Sequence, residues 1–226
     1  MSALWVTFDC YGTLIDWERG ITDALLPLLP ASMDRDELAR RYIAIEAQVE
    51  AEAYRSYRDV LDEAGLRLLA ALGVDAQSPL PASLPAWRPF AEVPAALAEL
   101  RQRGRKIAIL SNVDRDLIAS SIPKLGLQPD LLITAQDCGS YKPAPGHWRM
   151  FSERSGASAD ETVHVGASQY HDMRPAAALG YRTVFVDRHG EKLETQGQGP
   201  LSAQRATRVI GDLAPLPDVI DELARA

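Results

Sequence analysis

The run Thr7 to Leu14, read TFDCYGTL, ends an apolar stretch on a carboxylate, Asp9, and follows it with the small turn residues Gly12 and Thr13. A carboxylate is a poor nucleophile in water. Desolvated and held in line with a carbon, it forms a covalent ester that water later opens. The competing reading of Asp9 is a cap on the turn that follows, a job Asp does often. Lys142, in SYKP, is a cation able to keep a nearby carboxylate ionised and to offset charge in a transition state, or else a solvated loop lysine. Ser111 and Asn112, in ILSN, offer hydroxyl, amide and backbone donors suited to a small carboxylate, with Thr13 as a further donor. Ser111 and Asn112 equally suit the cap of a helix beginning near Asp114.

These residues need a scaffold that brings them together. Short runs rich in Val, Ile and Leu recur at Leu4 to Phe8, Lys106 to Leu110, Leu131 to Thr134, Thr162 to Val165 and Arg182 to Val186, and read as buried strands. Helical stretches alternate with them: Val93 to Arg103, Asp114 to Leu125, Gly146 to Ser155 and His171 to Leu179, each followed by a Gly at the expected stop. Such alternation implies a parallel sheet built through right-handed crossovers and covered on both faces. Asp9, Ser111, Ala167 and Asp187 then all fall just past a strand, at the end of the sheet where ligands bind. From about Trp17 to Trp87 the alternation stops, and helical periodicity runs alone through Ile21 to Leu29, Arg35 to Tyr54 and Arg58 to Leu72. A Pro-rich segment with Pro79, Pro81, Pro85 and Pro89 reads as the return linker, which predicts an all-helical cap over the open end of the sheet.

Composition narrows the partners. A chain of 226 residues with a net charge of -7 lacks the clustered cations that nucleic-acid binding needs, so no nucleic acid is expected. Ala3 to Phe8 is too short to span a bilayer and lacks the basic flank and cleavage site of a signal peptide, so no membrane is expected either. The two cysteines, Cys10 and Cys138, read as reduced thiols, and the expected location is the cytoplasm.

Four motifs in order, TFDCYGTL, ILSN, SYKP and VGASQYHD, give the chain a resemblance to the haloacid dehalogenase superfamily, and within it to the 2-haloacid dehalogenase branch. The resemblance covers nearly the whole length. It implies an α/β fold with a Rossmann-like parallel core of residues 1–16 and 89–226, and an inserted helical cap of residues 17–88. It implies Asp9 as nucleophile, Lys142 as its cationic partner and Asp172 as the acid that positions or deprotonates the hydrolytic water. The bland reading of Asp172 is an acid in an early helical turn, there for the dipole. Ser111 and Asn112 become contacts for the substrate carboxylate and leaving group, and Ser168 an active-site hydroxyl, although the family's Asn one residue further on is Gln169 here. Trp148 stands where the branch has Tyr and is expected to line the pocket, against the commoner role of a buried aromatic in packing.

Tyr11 and Ala167 set the subclass. The superfamily's phosphatases carry a general acid at the position of Tyr11 and a magnesium-binding acid at that of Ala167. Phosphoryl transfer leans on that ion and on proton delivery to the leaving group, whereas a halide leaves unprotonated. The reading is therefore a cofactor-independent, metal-free displacement of halide from a small anionic carboxylic acid, with Tyr11 in the substrate pocket and a homodimer implied by family likeness. The family's cap arginine beside the halide maps to Arg40 or Arg41, with Arg41 taken as the contact. The same helix carries Glu46 and Glu50, which repel a halide but suit an amine, or which form a solvated face like most charge runs. Among His147, His164, His171 and His189 no metal-ligand spacing occurs. Three rivals stay open: a small phosphatase, a hydrolase of an activated carbon-nitrogen bond, and a noncatalytic binding protein on the same fold.

Overall fold

Short apolar runs with no helical period become strands: β1 (Trp5–Phe8), β2 (Lys106–Ser111), β3 (Leu131–Thr134), β4 (Thr162–Gly166), β5 (Arg182–Val186) and β6 (Arg208–Ile210). In the computed structural model, which describes residues 4–188 and 206–225, these form a six-stranded sheet in the order β3-β2-β1-β4-β5-β6. Each neighbouring pair is parallel. The first five strands stand where the sequence reading puts them. β6 is an addition: a run of three residues, Arg208, Val209 and Ile210, gives no period from which a strand can be read. His189 lies outside the described residues.

Between β1 and β2 the chain makes α1 (Trp17–Leu25), α2 (Arg35–Glu52), α3 (Tyr57–Ala71), a short α4 (Leu80–Ser83) and α5 (Val93–Gln102). Asp16, Asp34 and Ser56 cap the first three through side-chain oxygens that accept from backbone amides, as their residue types favour. The Pro-rich return is more ordered than a linker: Pro81 opens α4 and Pro85 opens the 3-10 turn Leu84–Ala86. Proline suits a first turn because its missing N–H would go unpaired there in any case. The outgoing and returning strands of chain lie side by side, with the Asp16 amide donating to the Arg88 carbonyl at 2.9 Å and the Phe90 amide to the Leu14 carbonyl at 3.1 Å.

The crossovers carry α6 (Arg115–Ala119), α7 (Ala135–Cys138), α8 (Gly146–Ser155) and α9 (Arg174–Ala178), and α10 (Leu216–Arg225) follows β6. Two expected helices are shorter than read. The stretch Asp114 to Leu125 breaks after α6, and a 3-10 turn, Ile122–Leu125, carries Pro123 in its first turn, where a continuous α-helix would lose a hydrogen bond. The stretch His171 to Leu179 begins as a single wide π turn, Gln169–Met173, before α9.

Strand alternation splits the core. Val6, Phe8, Ile107, Ile109, Val163 and Val165 face a large cluster that continues into the cap through Leu38, Tyr42 and Leu61. Trp5, Ala108 and Leu110 face a smaller one with Trp148 and Phe151 of α8 and with Tyr181. β1 lies between β2 and β4, so the chain winds away in both directions from its carboxyl end, the position where such sheets open a crevice.

Candidate active site

Asp9 continues the ladder of β1 by donating its amide to the Val165 carbonyl at 2.9 Å, which fixes its backbone at the carboxyl edge of the sheet. The chain then turns sharply at Gly12, whose φ of 96° lies in the region glycine enters without strain. A side chain there would also come within 2.9 Å of the Trp17 indole nitrogen. The turn brings Thr13 back over Asp9: its hydroxyl donates to Asp9 Oδ2 at 2.8 Å and accepts from the Ala167 amide at 2.9 Å. Thr13 thus holds Asp9 in place, a positioning role where a substrate contact was expected.

Lys142 occupies the centre. Its Nζ donates to Asp9 Oδ1 at 2.8 Å, to Asp172 Oδ1 at 2.7 Å and to the Leu110 carbonyl at 2.9 Å, which uses the ammonium's three hydrogens. Asn112 fixes this lysine, accepting from the Lys142 amide at 2.7 Å and donating to the Lys142 carbonyl at 3.2 Å. Its side-chain amide is thereby committed to the loop. Asp172 reaches the cluster from the π turn, pressed so close to β4 that a Cβ on Gly166 would meet the Asp172 Cβ at 2.7 Å. Asp9, Lys142 and Asp172 are 8%, 2% and 1% exposed, so this is an ion triad in a nearly dry site.

The low-dielectric setting separates the two acids. Burial pushes Asp172 up, but Lys142 and His164 override it and hold the carboxyl well below its usual range. Burial also works against the charge on Lys142, and Asp172 and Asp9 outweigh it, holding the ammonium protonated. For Asp9 burial wins: the carboxyl is raised from its ordinary value despite Lys142, and the Asp172 charge adds to the rise. One environment thus separates two carboxylates, Asp9 raised and Asp172 held firmly ionised beside Lys142.

The remaining sequence candidates divide. Ser111 is buried at the end of β2, its carbonyl in contact with His147 Nε2 at 3.0 Å. Ser168 caps the π turn, its hydroxyl accepting from the His171 amide at 3.0 Å and lying 3.1 Å from His171 Nδ1. Tyr11 turns its hydroxyl onto Ser121 at 2.9 Å and packs edge-on against Trp87, and burial keeps the phenol protonated. Trp148 is a core residue, packed with Trp5, Leu110 and Phe151 on the sheet face away from the cap cluster. Arg41 is turned to solvent with Arg40, both paired to Glu37 on their own helix at 2.7 and 2.9 Å. From the end of β5 the contact is made by Arg188, one residue past Asp187, whose guanidinium donates to the Thr13 carbonyl at 2.6 Å. Sequence reading passed over Arg188 because nothing in its local pattern distinguishes it from a surface arginine.

What the cap does present to the triad is acid. Glu46 Oε1 accepts from the Tyr57 and Tyr42 hydroxyls at 2.7 and 3.1 Å, and Glu50 Oε2 lies 4.0 Å from His171 Nε2, across the boundary between cap and core. Burial pushes Glu46 up to about 7 against the two tyrosine bonds. Burial, with the Glu46 charge added, pushes Glu50 up to about 8. The cap is tied down by the Tyr141 hydroxyl on the Arg55 carbonyl at 2.8 Å, by the Tyr54 hydroxyl on the Ala135 carbonyl at 3.1 Å, and by the Arg58 amide on Asp114 at 3.0 Å. Among the described residues no group of three His, Cys, Asp or Glu side chains is placed to hold a metal ion, and no helix is long and apolar enough to cross a membrane.

Known proteins share this arrangement to different extents. The family model of haloacid dehalogenase-like hydrolases matches residues 5–180. Haloacetate dehalogenase H-2 of Moraxella sp. (strain B) is 33% identical over 115 residues, 50% of this chain and 51% of that protein. The (S)-2-haloacid dehalogenase of Pseudomonas sp. (strain YL) is 32% identical over 114 residues, 50% of this chain and 49% of that one. In both cases the match spans about half the length of the relative. Phosphatases also stand among the relatives. A solved L-2-haloacid dehalogenase of Xanthobacter autotrophicus, with chloropropionic acid covalently bound, superposes with a TM-score of 0.82 at 21% identity, covering 97% of this chain and 98% of that one. At that identity the likeness establishes the fold, cap included.

Proposed function

The chain belongs to the haloacid dehalogenase-like hydrolase family, and on that premise we propose that it hydrolyses a small 2-haloacid through an ester on Asp9, without a metal ion. An Asp9 oxygen attacks the alpha carbon, and the halide leaves with the bonding pair. Water then attacks the ester carbonyl, gives a proton to Asp172, and releases a 2-hydroxy acid. Lys142 balances the carboxylates throughout, Ser111 contacts the substrate carboxylate, and Ser168 serves as a further active-site hydroxyl. The observation that carries the reading is the Lys142 bridge between a raised Asp9 and a lowered Asp172, in a site where Tyr11 and Ala167 replace the two acids of a phosphatase.

The reading includes a core of residues 1–16 and 89–226 under a cap of residues 17–88, supported by the paired crossing at Asp16 and Arg88. It includes a cytoplasmic homodimer. The location rests on the free thiols Cys10 and Cys138, and the dimer on family likeness. A second reading, hydrolysis of an activated carbon-nitrogen bond, is favoured by one observation: the cap offers Glu46 and Glu50 to the site while Arg40 and Arg41 face solvent. The test is halide release from 2-chloropropionate and fluoroacetate in the presence of a chelator. The proposal expects release by the parent and none by Asp9→Asn, and activity confined to a phosphate ester with added magnesium contradicts it.

A further inference from the structure

His164 is fully buried in the middle of β4 and enters the site described above through its hold on the Asp172 carboxyl. It stands in register with Thr7 of β1, so both side chains leave the sheet on the same face. The Thr7 hydroxyl has two acceptors in range, His164 Nδ1 at 2.9 Å and the Val163 carbonyl at 3.5 Å. A buried hydroxyl donates to the nearer, better acceptor, which makes Nδ1 the unprotonated nitrogen and leaves the hydrogen on Nε2. That nitrogen lies 3.5 Å from Asp172 Oδ1 and has no closer partner, while the Trp148 ring packs edge-on against the imidazole at 5.3 Å and fixes its plane. The opposite tautomer would aim a lone pair at a carboxylate.

We propose that His164 is a positioning residue for ester hydrolysis: locked by Thr7, it directs Nε2–H at Asp172 Oδ1, so that Oδ1 is held by Lys142 and His164 and the carboxylate stays ionised and fixed in one orientation. Asp172 Oδ2 is buried against Gly166 without a hydrogen-bond partner, so the contacts to Oδ1 are the ones that set the carboxylate's orientation. The charged and titratable groups facing Asp172 are Lys142, Asp9 from β1, His164 from β4, His171 from its own turn and His147 from α8, and burial pushes both His171 and His147 down to about 4, leaving them neutral through the working range. The inference rests on the role proposed above for Asp172.

Three variants test it: His164→Leu removes the donor, His164→Gln keeps an N–H near the position of Nε2, and Thr7→Val releases the lock. Rapid mixing with 2-chloropropionate separates the halide burst, which reports ester formation, from steady turnover, which reports hydrolysis. The expected result is an unchanged burst in His164→Leu with steady turnover lowered about tenfold, the size of one long hydrogen bond to a charged group. The acid limb of turnover moves to higher pH, most of the loss is recovered in His164→Gln, and Thr7→Val falls between. Turnover and acid limb unchanged in His164→Leu overturn the proposal. So does His164→Gln failing as badly as His164→Leu with the burst lost too, which marks a packing role. Carbon-13 NMR of the Asp carboxylates keeps this separate from the dehalogenase reading. If the parent releases no halide, that reading fails. His164 is still decided by whether Asp172 titrates higher in the Leu variant but not in the Gln variant, and no change in its titration overturns the inference.

Discussion

The floor of the site and its roof are built on different principles. The floor is anchored to strand ends: Asp9 and Asn112 follow β1 and β2 directly, Thr13 closes the turn after β1 onto Asp9, and Asn112 holds the Lys142 backbone through two hydrogen bonds. The roof is one helix, α2, where a rotation of one residue moves a side chain through about 100° around the axis. That difference explains why Lys142 lands on Asp9 while Arg41 points to solvent and Glu50 faces His171. Under the proposed function, reaction and selectivity then fall to different regions, the floor carrying the chemistry and the cap deciding which substrate charge is tolerated.

The largest expected effect comes from breaking the floor. Lys142→Met leaves two buried carboxylates without their cation, which costs about 3–5 kcal/mol. The denaturant midpoint should fall accordingly and halide release should vanish; an unchanged midpoint would mean the triad is hydrated. Next is Gly166→Ala, whose methyl group would stand within 2.8 Å of Asp172 and push it aside. Displacement on that scale costs roughly a hundredfold in turnover, with the halide burst less affected than the steady rate.

The roof predicts a pH effect. Glu46 and Glu50 gain negative charge as pH rises through about 7 and about 8, so KM for 2-chloropropionate should climb across that window. The double variant Glu46→Gln/Glu50→Gln should flatten the climb, and a KM that falls with pH would favour the amine reading. The same groups bind protons more firmly in the fold than in the unfolded chain, where a Glu titrates near 4.5. Their contribution to stability is therefore lost as pH rises from about 4.5 to about 8. Unfolding titrations of parent and double variant should diverge over that range. The smallest effect is Arg41→Ala, an exposed pair with Glu37 expected to change activity less than about twofold and stability by under ~1 kcal/mol; a large loss of activity would bring the arginine back into the site.

Much of the floor is legible in the sequence, because a strand end followed by small turn residues admits few conformations. Asp9 stands out in that way, whereas Lys142 and Asp172 are picked out by the resemblance of their motifs, SYKP and VGASQYHD. Their partners are harder to read. Thr13 and Asn112 were taken as substrate donors, and only coordinates reveal that their hydrogen bonds are spent on Asp9 and Lys142. Trp148 is ambiguous in sequence since an aromatic in a helix suits either a pocket or a core, and the choice depends on which face α8 turns to the sheet. His164 left one signal, a lone imidazole in a valine-rich strand, whose meaning emerges from its register with Thr7.

The central claim is that Asp9 strikes carbon and carries the product as an ester. One turnover in heavy-oxygen water, with enzyme in excess over 2-chloropropionate and mass spectrometry of the peptide containing Asp9, tests it most directly. Label in the Asp9 carboxylate and none in the first hydroxy acid released is the predicted result. Label in that product with Asp9 unlabelled would mean water attacks the carbon itself, and would contradict the account.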